Sequence, residues 1–514
     1  MAGQSSVKKI ISGSVWGIAS KVIDALAKFV TIPLLVGYYG KADYGLIALV
    51  FSLNAYLRLM DLGMNIGSVR YFAMWESKSK YKKISRASRS SMIFYGLIGL
   101  GNTLVFVLMA DFGSEFFNIS PAQVPTYKVM MYILAASTVF NWLSNVVIQL
   151  LSAKDELGYV NRITVISSIL NFLVAIAAII FHWPLTVYFL FYTLSLLIVI
   201  PFYVHRLRVY PLSIKKLLAP KWDSLAFKQI IGYSMSIFAM GLFQFSAKEL
   251  RPILLAKFAT GIDVLTDYRV IQTVANLIMS FGSIFLQVLL PSAAKAHAEN
   301  DHSKIEKMVL EATRYISIFL TLVVFVLILN AGQLLVLYMG EEYLSLSKWL
   351  IIWLLTILLS MHNTPVASLV LSSGKTKALV YSAAIGCIIS LPITAIFAVE
   401  MGVGAAVVGY LIYMLIQMGF FYFYYIPYVL RLNSRKIFFS GFAPSLLGAV
   451  IALVLAWYFG EILNISNAYL EIIINSLVFL MLFAGYHWAF VIKGSDIDYL
   501  KTKLLHKPEN NAAE

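Results

Sequence analysis

Residues 163–204 read ITVISSILNFLVAIAAIIFHWPLTVYFLFYTLSLLIVIPFYV. Two apolar stretches, 163–181 and 184–204, flank the short break at His182 and Trp183. Each is long enough to cross about 30 Å of hydrocarbon as a helix rising about 1.5 Å per residue. No water reaches backbone N–H and C=O groups inside a bilayer, so a spanning segment must bond within itself, as a helix does. A transmembrane β-barrel would show short segments of alternating hydrophobicity instead. The pattern at 163–204 recurs along the whole chain: 60% of the 514 residues are hydrophobic and 13% charged, with a mean hydropathy of +0.82. A soluble domain carries about a quarter charged residues. The fold class is an all-α polytopic membrane protein.

Working outward from that stretch, spans fall at 10–36, 45–69, 90–110, 127–152, 163–181, 184–204, 229–257, 269–291, 313–333, 347–372, 378–399, 402–426, 438–459 and 469–492, fourteen in all. The run 313–339 is continuous enough to hide a break. The first stretch is long, already carries Lys21, Asp24 and Lys28, and has no small-residue cleavage site, so it reads as a retained helix and not a secretory signal. The N-terminus, the even-numbered loops with the span ends that border them, and the C-terminus together hold 30 of the 40 Lys and Arg residues. The odd-numbered loops with the span ends that border them hold Lys41, Lys128, Lys257, Arg269 and Lys348. Lys and Arg stay on the cytoplasmic side, so both termini are expected in the cytoplasm, as an even span count also requires.

The net charge of +15 is then mostly topology. The run Lys78, Lys80, Lys82, Lys83, Arg86, Arg89 reads as a cytoplasmic loop beside anionic headgroups, and no nucleic-acid partner is expected. The single cysteine, Cys387, cannot form an internal disulfide, and no cysteine or histidine pattern predicts a metal site. Gly374-Lys375-Thr376 resembles the end of a phosphate-binding loop, but Leu369 stands where the motif needs glycine. With no nucleotide site and no cofactor, transport would be driven by a gradient or a coupled reaction.

The chain also repeats itself. Asp43-Tyr44-Gly-Leu-Ile and Asp267-Tyr268-Arg-Val-Ile each open a helix; Ser-Val-Arg-Tyr-Phe-Ala (68–73) falls against Ser-Ala-Ala-Lys-Ala-His (292–297); Gln149-Leu-Leu-Ser-Ala-Lys154 resembles Val370-Leu-Ser-Ser-Gly-Lys375. The order and spacing predict two pseudo-symmetric six-helix lobes, 1–215 and 216–430, followed by two further helices and a cytoplasmic tail in 431–514. A repeat offset of an even number of helices gives both lobes one topology, with a cavity between them and alternating access by rocking.

Eight charges sit well inside predicted spans: Lys21, Asp24, Lys28, Arg58, Asp61, Lys248, Glu249 and Arg251. Each costs about 2.5–3.5 kcal/mol at a helix centre on translocon scales, so they are expected to face protein or water. Helical spacing puts Lys21, Asp24 and Lys28 on one face, Asn54, Arg58, Asp61 and Asn65 on another, and Gln244, Lys248 and Arg251 on a third. The eighth span shows Arg269, Gln272, Asn276, Ser280, Ser283 and Gln287 within a narrow arc. Helices one, two, seven and eight are equivalent pairs in the repeat, as a shared water-filled cavity would require. Five basic and three acidic residues leave a net +2, which favours an anion, and a pyrophosphate matches Lys and Arg donors. The competing reading makes Lys21–Asp24–Lys28 and Arg58–Asp61 self-neutralising groups that fix packing.

Gly40-Lys-Ala-Asp43-Tyr44-Gly45-Leu46, Asp61-Leu62-Gly63 followed by Arg70, and Gly402-Val-Gly404-Ala405-Ala406 resemble the polysaccharide flippases of the multidrug/oligosaccharidyl-lipid/polysaccharide (MOP) exporter superfamily, Wzx-type O-antigen transporters especially. The resemblance implies fourteen helices in an inner membrane, cytoplasmic termini, and flipping of undecaprenyl-diphosphate-linked sugar units from the cytoplasmic to the periplasmic leaflet. It implies a cationic cavity at Lys21, Lys28, Arg58, Lys248, Arg251 and Arg269, lined also by Asn54, Asn65, Gln244, Gln272 and Asn276. Some relatives couple to sodium or protons through intramembrane acids, and here Asp24, Asp61 and Glu249 are available. Related lipid II flippases favour arginines where the first helix here bears lysines, which points away from a peptidoglycan precursor. The expected partners are the lipid-linked oligosaccharide and membrane lipids, with a polysaccharide polymerase and a chain-length regulator as further candidates.

Two alternatives compete. A cation-coupled drug or metabolite exporter of the same superfamily would typically have twelve helices and an acidic cavity. A membrane polymerase or glycosyltransferase would need a large, charged outside loop, whereas the outside loops here are short. The protein is therefore read as a transporter and not an enzyme.

Overall fold

The computed structural model describes the backbone of residues 2–280, 302–373, 377–463, 465 and 467–491, and among these every regular element is helical. In the first half the elements are α1 (Ala2–Tyr39), α2 (Lys41–Leu57), α3 (Met64–Glu76), α4 (Tyr81–Phe116), α5 (Val124–Ala153), α6 (Leu157–Ile180), α7 (Leu185–Leu197), α8 (Ile200–Arg206), α9 (Ile214–Leu218) and α10 (Ser224–Phe258). Helix α11 covers 264–280. Then come α12 (His302–Leu329), α13 (Ala331–Met339), α14 (Ser347–Met361), α15 (Thr364–Ser373), α16 (Lys377–Ile396), α17 (Ala398–Met401), α18 (Val403–Phe420), α19 (Ser434–Lys436), α20 (Ala443–Leu463) and α21 (Ala468–Phe490).

Among the described residues, ten helices are long and apolar enough to cross a membrane, and the bent pair Lys41–Asp61 with Met64–Glu76 makes an eleventh. The other three expected spans fall on α1, α10 and α11, the last described only over 264–280. Helix α4 shows the solvent at work. Leu97, Leu100, Leu104 and Leu108 form an exposed stripe at helical spacing, while Asn102, Phe106 and Ala110 are buried. Large apolar side chains outside and an amide inside is the pattern of a helix bathed in hydrocarbon.

The merged run 313–339 does break, at Asn330 between α12 and α13. The second and tenth expected spans are not single helices. The tenth divides at His362 and Asn363 into α14 and α15. The second divides at Leu62 and Gly63, both left-handed (φ 51° and 72°), and bends by 45°. The repeat motifs at 292–297 and at the end of 370–375, the Gly374-Lys375-Thr376 stretch, the distal part of the eighth span and the C-terminal tail lie outside the described residues.

The helices group into two compact units, Met1–Ile284 with Thr376–Gln417, and Phe285–Lys375 with Met418–Glu514. The first unit contains all of the expected N-lobe together with α10, α11, α16, α17 and most of α18. In it α4 packs on α5, α1 on α6, and α10 on α2, α3 and α16, around an apolar cluster that includes Phe72, Trp75, Trp142, Leu150 and Ile230. The linker into α10 is strapped to α4: Ser88 Oγ donates to the Leu217 carbonyl (2.8 Å), Arg89 Nε to that of Ala219 (2.6 Å), and Asp223 N to Ser90 Oγ (2.7 Å). Asp223 then caps α10 by accepting from Ala226 N at 3.0 Å. In the second unit α12 packs on α14, α15, α20 and α21. Asn330 Nδ2 donates to Ser476 Oγ (3.2 Å) and Gln333 Nε2 to Glu471 (2.7 Å), which keys the last helix into that unit.

Candidate functional site

All fourteen residues expected at the site lie in the first unit, on α1, α2, the turn that follows it, α3, α10 and α11. The break in the second span decides the local geometry. Arg58–Asp61 forms a 3-10 turn, and the chain then passes through two left-handed residues into α3. Gly63 bears its positive φ against α10: a Cβ there would lie 2.5 Å from the Ser234 carbonyl oxygen and 3.0 Å from Phe238 N. One turn on, a Cβ on Gly67 would overlap Ser234 Oγ. Gly63-Met-Asn-Ile-Gly67 is thus a small-xxx-small contact that brings the α3 and α10 backbones together. Asn65 belongs to α3, so the expected stripe Asn54–Arg58–Asp61–Asn65 is not one face of one helix.

Asp61 is held at this break. Its Oδ1 accepts from Tyr95 Oη (2.6 Å) and its Oδ2 from Asn65 N (3.0 Å), satisfying a donor at the start of α3. Gln149 Nε2 in turn donates to Tyr95 Oη at 2.7 Å. Asp61 is therefore an anchor for the break, and Arg58 is not its ion-pair partner; Arg58 is exposed.

On α1, Lys28 Nζ pairs with Asp24 Oδ2 at 2.7 Å, and Ser168 Oγ of α6 donates to Asp24 Oδ1 at 3.4 Å. The side chains of Lys28 and Asp24 are 64% and 42% exposed, so the pair contributes at most about 0.5 kcal/mol. Lys21 is exposed on the same helix. On α10, Gln244 and Lys248 are exposed, while Glu249 is half-buried and makes no hydrogen bond or ion pair among the described residues. On α11, Arg269 donates to Gln272 Oε1 (2.7 Å) and reaches α2 at Ser52 Oγ (2.8 Å) and the Ala48 carbonyl (3.4 Å). Gln272 is buried and Asn276 half-buried, as is Asn54 on α2. Tyr192 of α7 lies within electrostatic reach of Asp24 on α1, Arg58 in the turn after α2 and Arg269 on α11.

Arg251 departs from the expected stripe. It is 1% exposed, where Gln244 and Lys248 on the same face are open. Its Nη2 donates to Ser390 Oγ of α16 (2.9 Å), and the guanidinium lies 5.2 Å from the Tyr410 ring centroid and 5.9 Å from that of Tyr413 on α18. Ala247, Cys387 and Tyr413 form the apolar cluster around it. Helical spacing places residues on a face of one helix but is silent about which neighbour covers each turn.

Sequence reading missed the Tyr95–Gln149 support of Asp61, for which a glutamine within an apolar span was the available signal. It also missed the junction of α2 with α11. There Lys41 Nζ pairs with Asp267 (2.7 Å), Thr266 Oγ1 donates to the Lys41 carbonyl (2.6 Å), and Gln123 Nε2 donates to Asp43 (2.7 Å). The two repeat motifs thus meet, with α2 and α11 running in the same direction from Lys41 and Thr266 toward Ser52 and Arg269.

With exposed cations on three helices of a broken-helix bundle, the class is a polytopic transporter-type fold. The chain belongs to the polysaccharide biosynthesis protein family, which it matches over residues 10–297. Among solved structures, the lipid II flippase MurJ in an inward closed conformation superposes with a TM-score of 0.72 at 13% identity, covering 94% of this chain and 100% of that one. An inward-facing multidrug resistance MATE family transporter of the MOP superfamily gives 0.65 at 14% identity, covering 77% and 92%. A MOP superfamily transporter from Pyrococcus furiosus, described by the reverse polarity of its binding pocket, gives 0.51 at 16%, covering 80% and 93%. The fold is therefore that of the MurJ and MATE transporters. Comparison by sequence with curated proteins found no match.

Proposed function

We propose that this protein is a flippase that moves an undecaprenyl-diphosphate-linked oligosaccharide, an O-antigen or other surface polysaccharide repeat unit, from the cytoplasmic to the periplasmic leaflet of the inner membrane. The carrying observation is the set of exposed cations within the expected membrane spans, Lys21, Arg58 and Lys248. Exposed charge within a membrane span is tolerated where water or a polar ligand reaches it, and exposed cations borne by three elements of one compact unit suit a diphosphate. Membership of a polysaccharide biosynthesis family supports the sugar-bearing lipid as the ligand.

In this mechanism Lys21, Lys28, Arg58 and Lys248 hold the diphosphate, with Gln244 and Asn65 beside them. Arg269 is committed to bracing α11 against α2. The lobes 1–215 and 216–430 rock about the bound head group with both termini cytoplasmic, and the lipid tail stays in hydrocarbon throughout. A proton or sodium ion would couple through Glu249, because Asp24 and Asp61 are engaged by Lys28 and Tyr95. A polysaccharide polymerase and a chain-length regulator would receive the product on the far side.

The test is deletion of the gene in its native host, with the lipid-linked repeat unit followed by leaflet. Build-up on the cytoplasmic leaflet and loss of surface polysaccharide, both restored by the intact gene, support the assignment. Repeat units that reach the outer leaflet unpolymerised, or normal polysaccharide with altered sensitivity to cationic drugs, would overturn it.

A further inference from the structure

Arg251 is a permanent charge sealed in an apolar cluster. Arginine does not lose its proton in proteins, so burial cannot be relieved by neutralisation. The Nε and Nη1 atoms are buried without any hydrogen-bond partner, and no acidic side chain among the described residues pairs with the guanidinium. The aromatic faces of Tyr410 and Tyr413 offset part of the charge, and Ser390 satisfies one edge of the fork. The open donors remain. Buried unsatisfied groups of this kind mark an unseen water or ion, and a water would accept a hydrogen bond while leaving the charge uncompensated.

We propose that the Arg251 pocket, enclosed by α10, α16 and α18 of the first unit, binds one small inorganic anion of the chloride class, held by Nε and Nη1. Size follows from how tightly α16 and α18 meet. A Cβ at Gly386 would lie 2.9 Å from the Tyr413 ring, and one at Gly409 3.0 Å from the Ser390 carbonyl. Packing this close between α16 and α18 argues for the smallest class of anion. The site is separate from the exposed cations: Lys248, one turn away on α10, is open while Arg251 is sealed. The bound anion holds α10 to α16 and α18 by completing the guanidinium's shell.

The purified full-length protein tests this by thermal unfolding in sodium chloride against sodium gluconate at fixed ionic strength. A ligand that binds only the folded protein raises stability with the logarithm of its concentration above its Kd. Chloride is expected to raise the unfolding midpoint in this way and gluconate is not. Arg251→Gln should abolish the chloride response, and Lys248→Ala should retain it. If Arg251→Gln does not fold, the wild-type comparison decides, and equal midpoints in the two salts refute the site. Sodium pyrophosphate serves as a soluble probe of the diphosphate-binding cations. It should stabilise wild type and Arg251→Lys alike, and to a smaller degree Lys248→Ala. A pyrophosphate effect that requires Arg251, or a chloride effect lost in Lys248→Ala, would overturn the inference by assigning Arg251 or the anion to the exposed site.

Discussion

Gly63 and Gly67 make the crossing of α3 over α10 testable because the two glycines meet different atoms of one residue. A Cβ at Gly63 confronts the Ser234 carbonyl and the Phe238 nitrogen, both backbone, and must also adopt φ 72°. The left-handed conformation costs about 1–2 kcal/mol for a residue with a Cβ, and overpacking adds about 1–3 kcal/mol. Gly63→Ala should therefore destabilise by roughly 2–5 kcal/mol. A Cβ at Gly67 overlaps the Ser234 hydroxyl, and the next atoms are the Ser234 Cβ at 3.3 Å and Ile230 Cγ2 at 3.5 Å. Gly67→Ala should carry only the overpacking cost of about 1–3 kcal/mol. Ser234→Ala removes the hydroxyl and should recover most of that loss. It should do nothing for Gly63→Ala, because the carbonyl stays. The assay is unfolding of the three single and two double variants in detergent, read as two double-mutant cycles. Equal rescue of both glycine variants by Ser234→Ala, or a neutral Gly63→Ala, would refute the backbone crossing described here.

Three further outcomes are expected. Arg58→Ala and Lys248→Ala should each abolish transport while membrane levels of the protein stay at wild type, checked by repeat-unit flipping and immunoblot; loss of protein would mean that the exposed cations serve packing instead. Asp61→Ala should cost about 1–3 kcal/mol by leaving the Tyr95 hydroxyl without its acceptor and uncapping α3, whereas Asp61→Asn, which keeps an acceptor oxygen, should cost markedly less in thermal unfolding. Lys41→Asp and Asp267→Lys should each lower the unfolding midpoint modestly, by up to about 1 kcal/mol for a partly exposed pair, and the double exchange should restore it. High salt should shrink the difference in that last series.

The apolar run at 163–204, and its equals along the chain, determined by themselves that this is a helical membrane protein, because the bilayer leaves the backbone only a helix or a closed barrel and these runs are too long and too uniformly apolar for barrel strands. The sequence also exposed the charges on α1, α2, α10 and α11, since a charge inside an apolar stretch is visible without any structure, and it showed that the run 313–339 could hide a break, which the structure places at Asn330. It could not say what covered each charge. Arg251 and Lys248 read alike on one helical face, yet α16 and α18 close over the first and leave the second open. Asp61 read as a partner for Arg58 or a coupling acid until the left-handed turn at Leu62 and Gly63 swung α3 away and brought Tyr95 and Gln149 to the carboxylate. Those outcomes rest on contacts between residues dozens to more than a hundred positions apart, and helical periodicity holds no information about them. Local sequence determined where polarity enters the membrane; tertiary packing alone decided which polar groups became struts and which stayed open to a ligand.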